Sequence, residues 1–181
     1  MTDKQIEFLE LAILEQMKYA QISIKLNVDQ KTLRVWWDEL KTEREKLSTL
    51  RQLWKSKCNA VSFWDFKTWY ESTERKCHYC KITEEEIAEL ISKGLIQTKR
   101  LVTRGRKLEI ERVLPNNPYD DLNNLVFCCY WCNNAKTDEF SADEFKYIGQ
   151  LIGNIWNNRL RTARFIGDGS EITILNGDDN R

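Results

Sequence analysis

Apolar residues along this chain recur with two different periods, and the change of period separates its regions. In residues 3–17, Ile6, Leu9, Ala12, Ile13 and Met17 stand at helical spacing with Phe8 and Leu11 beside them, which predicts an amphipathic helix. Residues 20–40 repeat that period in two shorter blocks. Ile22, Leu26 and Val28 would pack in the first block and its turn, and Leu33 and Trp36 in the second. Asn27 is the turn residue, able to take left-handed backbone, and Asp29 is the N-cap of the second block. Leu40, Leu47, Trp54 and Val61 then stand seven apart with Leu50 between them, so the second helix is expected to run on through the charged stretch 41–57.

Three further helix starts are written in cap residues. Ser62 with Asp65 opens a helix lined by Phe63, Phe66 and Tyr70 and broadened by Trp64. Thr83 with Glu86 opens one that ends at Gly94, and Ser141 with Glu144 opens one carrying Phe145, Ile148, Ile152, Ile155 and Trp156. Period two appears where Leu108 and Ile110 alternate with Glu109 and Glu111, and residues 125–128 are an apolar run of strand length. Pro115, Asn116, Asn117, Pro118, Asp120 and Asp121 form the loop between these strands. Residues 163–166 and 171–175, around Gly167-Asp168-Gly169-Ser170, read as a terminal β-hairpin, an oligomer or DNA contact, before a frayed end. The expectation is a mostly helical α+β chain.

With 181 residues there is room for one medium domain or two small ones. Lys+Arg and Asp+Glu both number 28, so net charge does not point to a partner. Its distribution does. Residues 92–108 hold six basic residues (Lys93, Lys99, Arg100, Arg104, Arg106 and Lys107) and no acid. Arg104-Gly105-Arg106 reads as a tight basic turn suited, with Lys107, to a phosphate backbone. No apolar run approaches the ~20 residues that span a bilayer, so no membrane partner is expected.

Two C-x2-C pairs, Cys77/Cys80 and Cys129/Cys132, have the spacing of a four-thiolate zinc site. Two tight turns each aim two sulfurs at one ion and tie together segments roughly fifty residues apart. Four thiolates leave no open position, so this Zn²⁺ is expected to be structural. The composition, rich in Lys and Glu and without a visible signal peptide, points to a reducing, cytoplasmic setting, where such pairs bind metal rather than form disulfides. Cys58 and Cys128 read as small buried apolar residues.

Residues 20–40 also have the form of a helix-turn-helix. Lys31, Thr32 and Arg34 would lie at the N-terminal end of its second helix, where base edges of double-stranded DNA are read. An ordinary helical pair with a charged outer face fits the same pattern. The seven-spaced stripe either packs on the chain's own nuclease domain or pairs with a second copy as a homodimer.

One set of residues carries a family resemblance. It comprises Phe66-x-x-Trp69-Tyr70 before the first cysteine pair, Tyr79 within it, and Glu111-Arg112 ending a strand. Asn124 before the second strand and Cys132-Asn133-x-x-Lys136 complete it. Over about residues 61–145 this order resembles the HNH (ββα-metal) endonucleases with an accessory four-cysteine zinc. The resemblance implies that Glu111 and Asn133 are ligands of a catalytic Mg²⁺ or Mn²⁺, that Asn124 braces the loop, and that Lys136 contacts phosphate or caps the site. The usual Asp-His is replaced here by Glu111-Arg112, and the chain's one histidine, His78, lies in the first cysteine pair. Arg112 cannot act as a base near neutral pH but can hold a phosphate. Tyr79 is the candidate for the activating group.

The expected organisation is a helix-turn-helix and linker helix in 1–57, an HNH-type nuclease domain with its zinc in 58–160, and a hairpin or tail in 161–181. The expected activity is metal-dependent, site-specific DNA cleavage of restriction or homing type. A catalytically inactive, zinc-containing DNA-binding regulator is the alternative.

Overall fold

A computed structural model describes residues 1–97, 102 and 104–167, with side chains up to 164. The chain divides into two compact units, Met1–Glu71 and Ser72–Arg181.

The first unit is helical. α1, Asp3–Leu9, is capped reciprocally by Thr2 and Gln5 and runs into a π-helical turn, Glu10–Leu14. α2 (Tyr19–Leu26), α3 (Gln30–Glu39), α4 (Lys41–Lys57) and α5 (Phe63–Ser72) follow. Phe8 is fully buried at the centre, with the rings of Tyr19, Trp36 and Trp37 at 5.7, 6.0 and 6.2 Å. Leu9, Leu11, Ile22, Leu26, Leu33 and Leu40 close this core, each such side chain contributing about 1.5–3 kcal/mol when fully buried. Asn27 takes the left-handed conformation at the end of α2 (φ 50°, ψ 54°), and Asp29 accepts hydrogen bonds from the backbone N–H groups of Lys31 and Thr32.

The expected continuous helix does not form. Backbone at Leu40 leaves the helical region (φ −91°, ψ 27°) and α4 starts afresh. The physical cause is packing. Leu40 is buried, and the break brings Leu47 against the same core while the Arg44 guanidinium donates to the Trp37 carbonyl at 2.9 Å. The seven-spaced stripe is thus used inside the unit. Its third member, Trp54, donates to the carbonyl of its last, Val61, at 2.9 Å and meets the Phe63 ring edge-on, which joins α5 to the first unit.

In the second unit β1, Glu109–Arg112, pairs antiparallel with β2, Leu125–Cys128, so that Glu109 faces Cys128, Ile110 faces Phe127, Glu111 faces Val126 and Arg112 faces Leu125. α6 (Glu84–Ser92), α7 (Tyr130–Lys136) and α8 (Ala142–Gly167) surround this hairpin in sequence. The expected caps form: Thr83 with Glu86, and Ser141 with Glu144.

α8 departs from expectation. Residues 163–166, read as a hairpin arm, are its last turns. Leu160 and Ala163 are buried and extend the stripe of Phe145 and Trp156, and Lys93 Nζ donates to the Ala163 carbonyl at 3.0 Å. No Gly or Pro stands between Gly153 and Gly167, so helix wins over the local β preference. The second arm, 171–175, lies outside the described residues. Among the described residues the fold is mostly helical with one two-stranded sheet, and no helix is long and apolar enough to cross a membrane.

Candidate metal and nucleic-acid site

The first cysteine pair lies on a turn in which the Lys81 N–H donates to the Cys77 carbonyl at 3.0 Å, with Lys81 itself left-handed (φ 67°). The His78 N–H donates to the Phe127 carbonyl at 2.7 Å, which fastens this turn to β2. The second pair begins α7. Cys129 is its N-cap, and its sulfur accepts from the Cys132 N–H at 3.4 Å.

Cys77, Cys80, Cys129 and Cys132 are all buried, and their sulfurs lie within 4.8 Å of one another. Cys80 Sγ and Cys129 Sγ are 3.6 Å apart. A tetrahedral zinc with Zn–S near 2.3 Å requires sulfurs about 3.8 Å apart, so the cluster fits a zinc site. Cys128 is buried beside it, 4.0 Å from Cys77 Sγ, outside the quartet. Cys58 is buried in the first unit, where burial pushes its thiol up to about 11.

α8 closes on the first pair through two glycines. A Cβ on Gly149 would stand 2.6 Å from Tyr79 Cβ, and one on Gly153 would stand 2.7 Å from the Cys80 carbonyl oxygen. Tyr79 is thereby buried, its ring edge-on to Phe145 at 5.1 Å, and its hydroxyl has no hydrogen-bond partner. Burial first, then neighbouring Cys128 and Glu111, push this phenol above its ordinary value.

Strand alternation puts Glu109 and Glu111 on one face of β1. That face meets α7. Lys136, fully buried, places its ammonium 3.9 Å from Glu111 Oε1. Asn133, one turn earlier, donates from Nδ2 to Glu109 Oε2 at 2.6 Å. Glu109 is also held by Arg104, whose Nε donates to Oε1 at 2.8 Å and whose terminal nitrogen reaches Oε2. The two residues expected as ligands of one ion, Glu111 and Asn133, therefore each have a different protein partner. Glu109 went unnoticed as a site residue; its place two residues before Glu111 was the available signal.

Arg112 belongs to the other face of β1. Its guanidinium stacks on the Tyr119 ring at 4.7 Å, donates to the Asn117 carbonyl at 3.1 Å and pairs with Asp138 at 3.5 Å, while its buried Nε has no partner. Asn124 is buried and clasps the loop between the strands. Its side chain accepts from the Leu114 N–H at 2.8 Å and donates to the Leu114 carbonyl at 3.1 Å.

The chain bends through residues 104–107 with Gly105 at φ 87°; Arg104, Arg106 and Lys107 are exposed, and Arg104 lies over the Tyr130 ring at 5.0 Å. In the first unit Lys31 and Arg34 are exposed on α3. Thr32 is half-buried and donates its hydroxyl proton to Asp29 at 2.6 Å, so it serves the cap.

The chain is similar to a solved structure of the rare-cutting HNH restriction endonuclease PacI. The two share 26% identity over 68% of this chain and 78% of that chain, with a TM-score of 0.46. No family model and no curated protein matches the chain.

Proposed function

We propose that this chain is a divalent-metal-dependent DNA endonuclease of the HNH (ββα-metal) type. The observation that carries the reading is the face shared by β1 and α7. There Glu109 and Glu111 from one strand meet Asn133 and a buried Lys136 from the helix that begins at the second cysteine pair. Two buried donors, Tyr79 Oη and, on the other face of β1, Arg112 Nε, have no protein partner, as expected of groups reserved for a substrate.

The donor set fits a hard cation. Glu111 would supply a carboxylate and Asn133 an amide oxygen to Mg²⁺ or Mn²⁺, which prefer oxygen ligands. When bound, that ion supplies stabilisation of the charge that develops on a phosphodiester during hydrolysis. The chain's own groups hold and orient the DNA. Arg112 donates to a phosphate oxygen and, always protonated, takes no proton from water. Lys136 balances the charge of Glu111, and Asn124 fixes the loop that carries Arg112's partners. Tyr79 contacts the reacting phosphate or water. Arg104, Arg106 and Lys107 follow the DNA backbone.

In this reading α2 and α3 form a helix-turn-helix in which Lys31 and Arg34 reach base edges, with Thr32 holding the start of α3. The enzyme is site-specific, of restriction or homing type, and two chains act to cut both strands. The replacement of the usual Asp-His by Glu111-Arg112 favours a second reading, a zinc-containing DNA-binding regulator without activity.

Plasmid and genomic DNA incubated with Mg²⁺ or Mn²⁺, beside EDTA and Glu111→Ala controls, separates them. Discrete, metal-dependent fragments lost in the variant support the nuclease. Intact DNA from a zinc-loaded protein that binds it tightly supports the regulator.

A further inference from the structure

We infer that Glu109 is a positioning residue that turns the Asn133 amide oxygen toward the divalent ion; the inference rests on the nuclease reading above. An ionised carboxylate only accepts hydrogen bonds, whereas an amide has a donating end and an accepting end. Glu109 Oε2 therefore selects the NH₂ end of Asn133, which it holds at 2.6 Å. The planar amide then turns Oδ1 away from Glu109, and that oxygen makes no hydrogen bond to protein among the described residues. A cation requires that end; an amide turned the other way would offer it two N–H groups.

Glu109 is itself fixed from the opposite side. Arg104 grips both its oxygens and lies over the ring of Tyr130, the first residue of α7. The chain Arg104–Glu109–Asn133 thus links an exposed arginine on the basic bend to the amide at the site. Oriented partners of this kind matter to a metal ligand: their loss typically weakens binding about 10–100-fold.

The test uses Mn²⁺ binding, followed by the loss of its free-ion electron paramagnetic resonance signal, on the full zinc-loaded chain. Glu109→Gln keeps the side chain's shape but adds a donor, so Asn133 is free to flip and Arg104 loses its charge partner. Mn²⁺ affinity is expected to fall by about tenfold, with zinc content and circular dichroism unchanged. The second variant, Glu109→Gln with Asn133→Asp, presents an oxygen in either orientation and is expected to regain most of the loss. Glu109→Gln binding Mn²⁺ like the parent, or a double variant that regains nothing, would overturn the positioning role. The Glu111→Ala variant keeps the two readings apart. If it loses Mn²⁺ while Glu109→Gln retains it, the metal centre stands and the role of Glu109 falls. If neither variant changes Mn²⁺ binding, the metal-centre reading falls and takes the inference with it.

Discussion

The Lys136 ammonium lies 3.9 Å from a carboxylate oxygen of Glu111, and both side chains are shielded from water. A further contact runs from Lys136 to the Arg112 carbonyl at 3.5 Å. Removing one member of such a pair leaves the other charge buried without compensation, which costs about 3–5 kcal/mol. Lys136→Met should therefore lower the stability of the second unit by roughly 3 kcal/mol in urea unfolding. Adding Glu111→Gln to that variant should recover part of the loss, because the stranded charge goes too. A Lys136→Met protein as stable as the parent would mean that water or another group neutralises Glu111.

Removal of zinc should have a larger effect. The four cysteines join the turn of residues 77–81 to the start of α7, and four thiolates confined within 4.8 Å repel one another without an ion. Chelation should abolish the cooperative unfolding of the second unit while the first unit's aromatic core persists. Cys77→Ser should lower zinc content in the same way. Cys58→Ser should leave zinc at about one per chain, since Cys58 lies outside the quartet. Full tertiary structure after chelation would remove zinc from the account.

How much of this was legible in the sequence depended on range. Each C-x2-C pair, the caps at Thr83 and Ser141, the left-handed Asn27 and each of the two strands follow from residues within a few positions of each other. The structure reproduces them. Leu40 was different. A seven-residue spacing is equally satisfied by one long helix and by two helices that turn back on a common core, and only the aromatic cluster around Phe8 selects the second. Residues 163–166 depart from the expected hairpin arm for a related reason: their local β preference is overruled by Leu160 and Ala163 packing as part of α8. Glu109 was hidden because the contact that gives it meaning, Asn133, lies 24 residues away.

Gly149 and Gly153 make a case where helix propensity and packing oppose each other. Glycine to alanine inside a helix ordinarily gains about 1 kcal/mol. Here the new Cβ would stand 2.6 Å from Tyr79 Cβ or 2.7 Å from the Cys80 carbonyl oxygen, and the latter is backbone that cannot swing aside. Overpacking of this kind costs about 1–3 kcal/mol. Gly153→Ala should accordingly destabilise the protein and speed zinc release to a chelator. Stabilisation by the ordinary helix increment would show that α8 is free to move away from the cysteine turn.

Tyr79 separates a packing role from a role in the reaction. Its hydroxyl is buried without a partner, an arrangement that costs about 1–3 kcal/mol. Tyr79→Phe removes that hydroxyl and keeps the ring against Phe145. The variant should be at least as stable as the parent, and DNA binding should persist. The cleavage rate should fall by more than tenfold, about 1.4 kcal/mol in the barrier. Equal rates would place Tyr79 in the packing beneath α8.

On α3 the roles divide between neighbours, and so should the variants. Lys31 and Arg34 are exposed, whereas the side chains of Thr32 and Asp29 hold the helix start together. Lys31→Ala with Arg34→Ala should weaken DNA binding with the melting curve unchanged, and should lower the salt dependence of binding if either residue meets phosphate. Asp29→Ala should act through stability. Hydrogen bonds from the Thr32 hydroxyl, and then from backbone N–H groups, hold the Asp29 carboxyl below its ordinary value. A group depressed in the folded state contributes its stability above its unfolded value, near pH 4, and loses it as the pH falls through the folded value. The parent should therefore lose stability over that acid range, and the Asp29→Ala variant should start less stable but show a shallower acid decline. Parallel declines would mean that the cap is made equally well by the protonated acid. Unchanged DNA affinity in the Lys31→Ala, Arg34→Ala protein would leave α3 as a helix of the core alone.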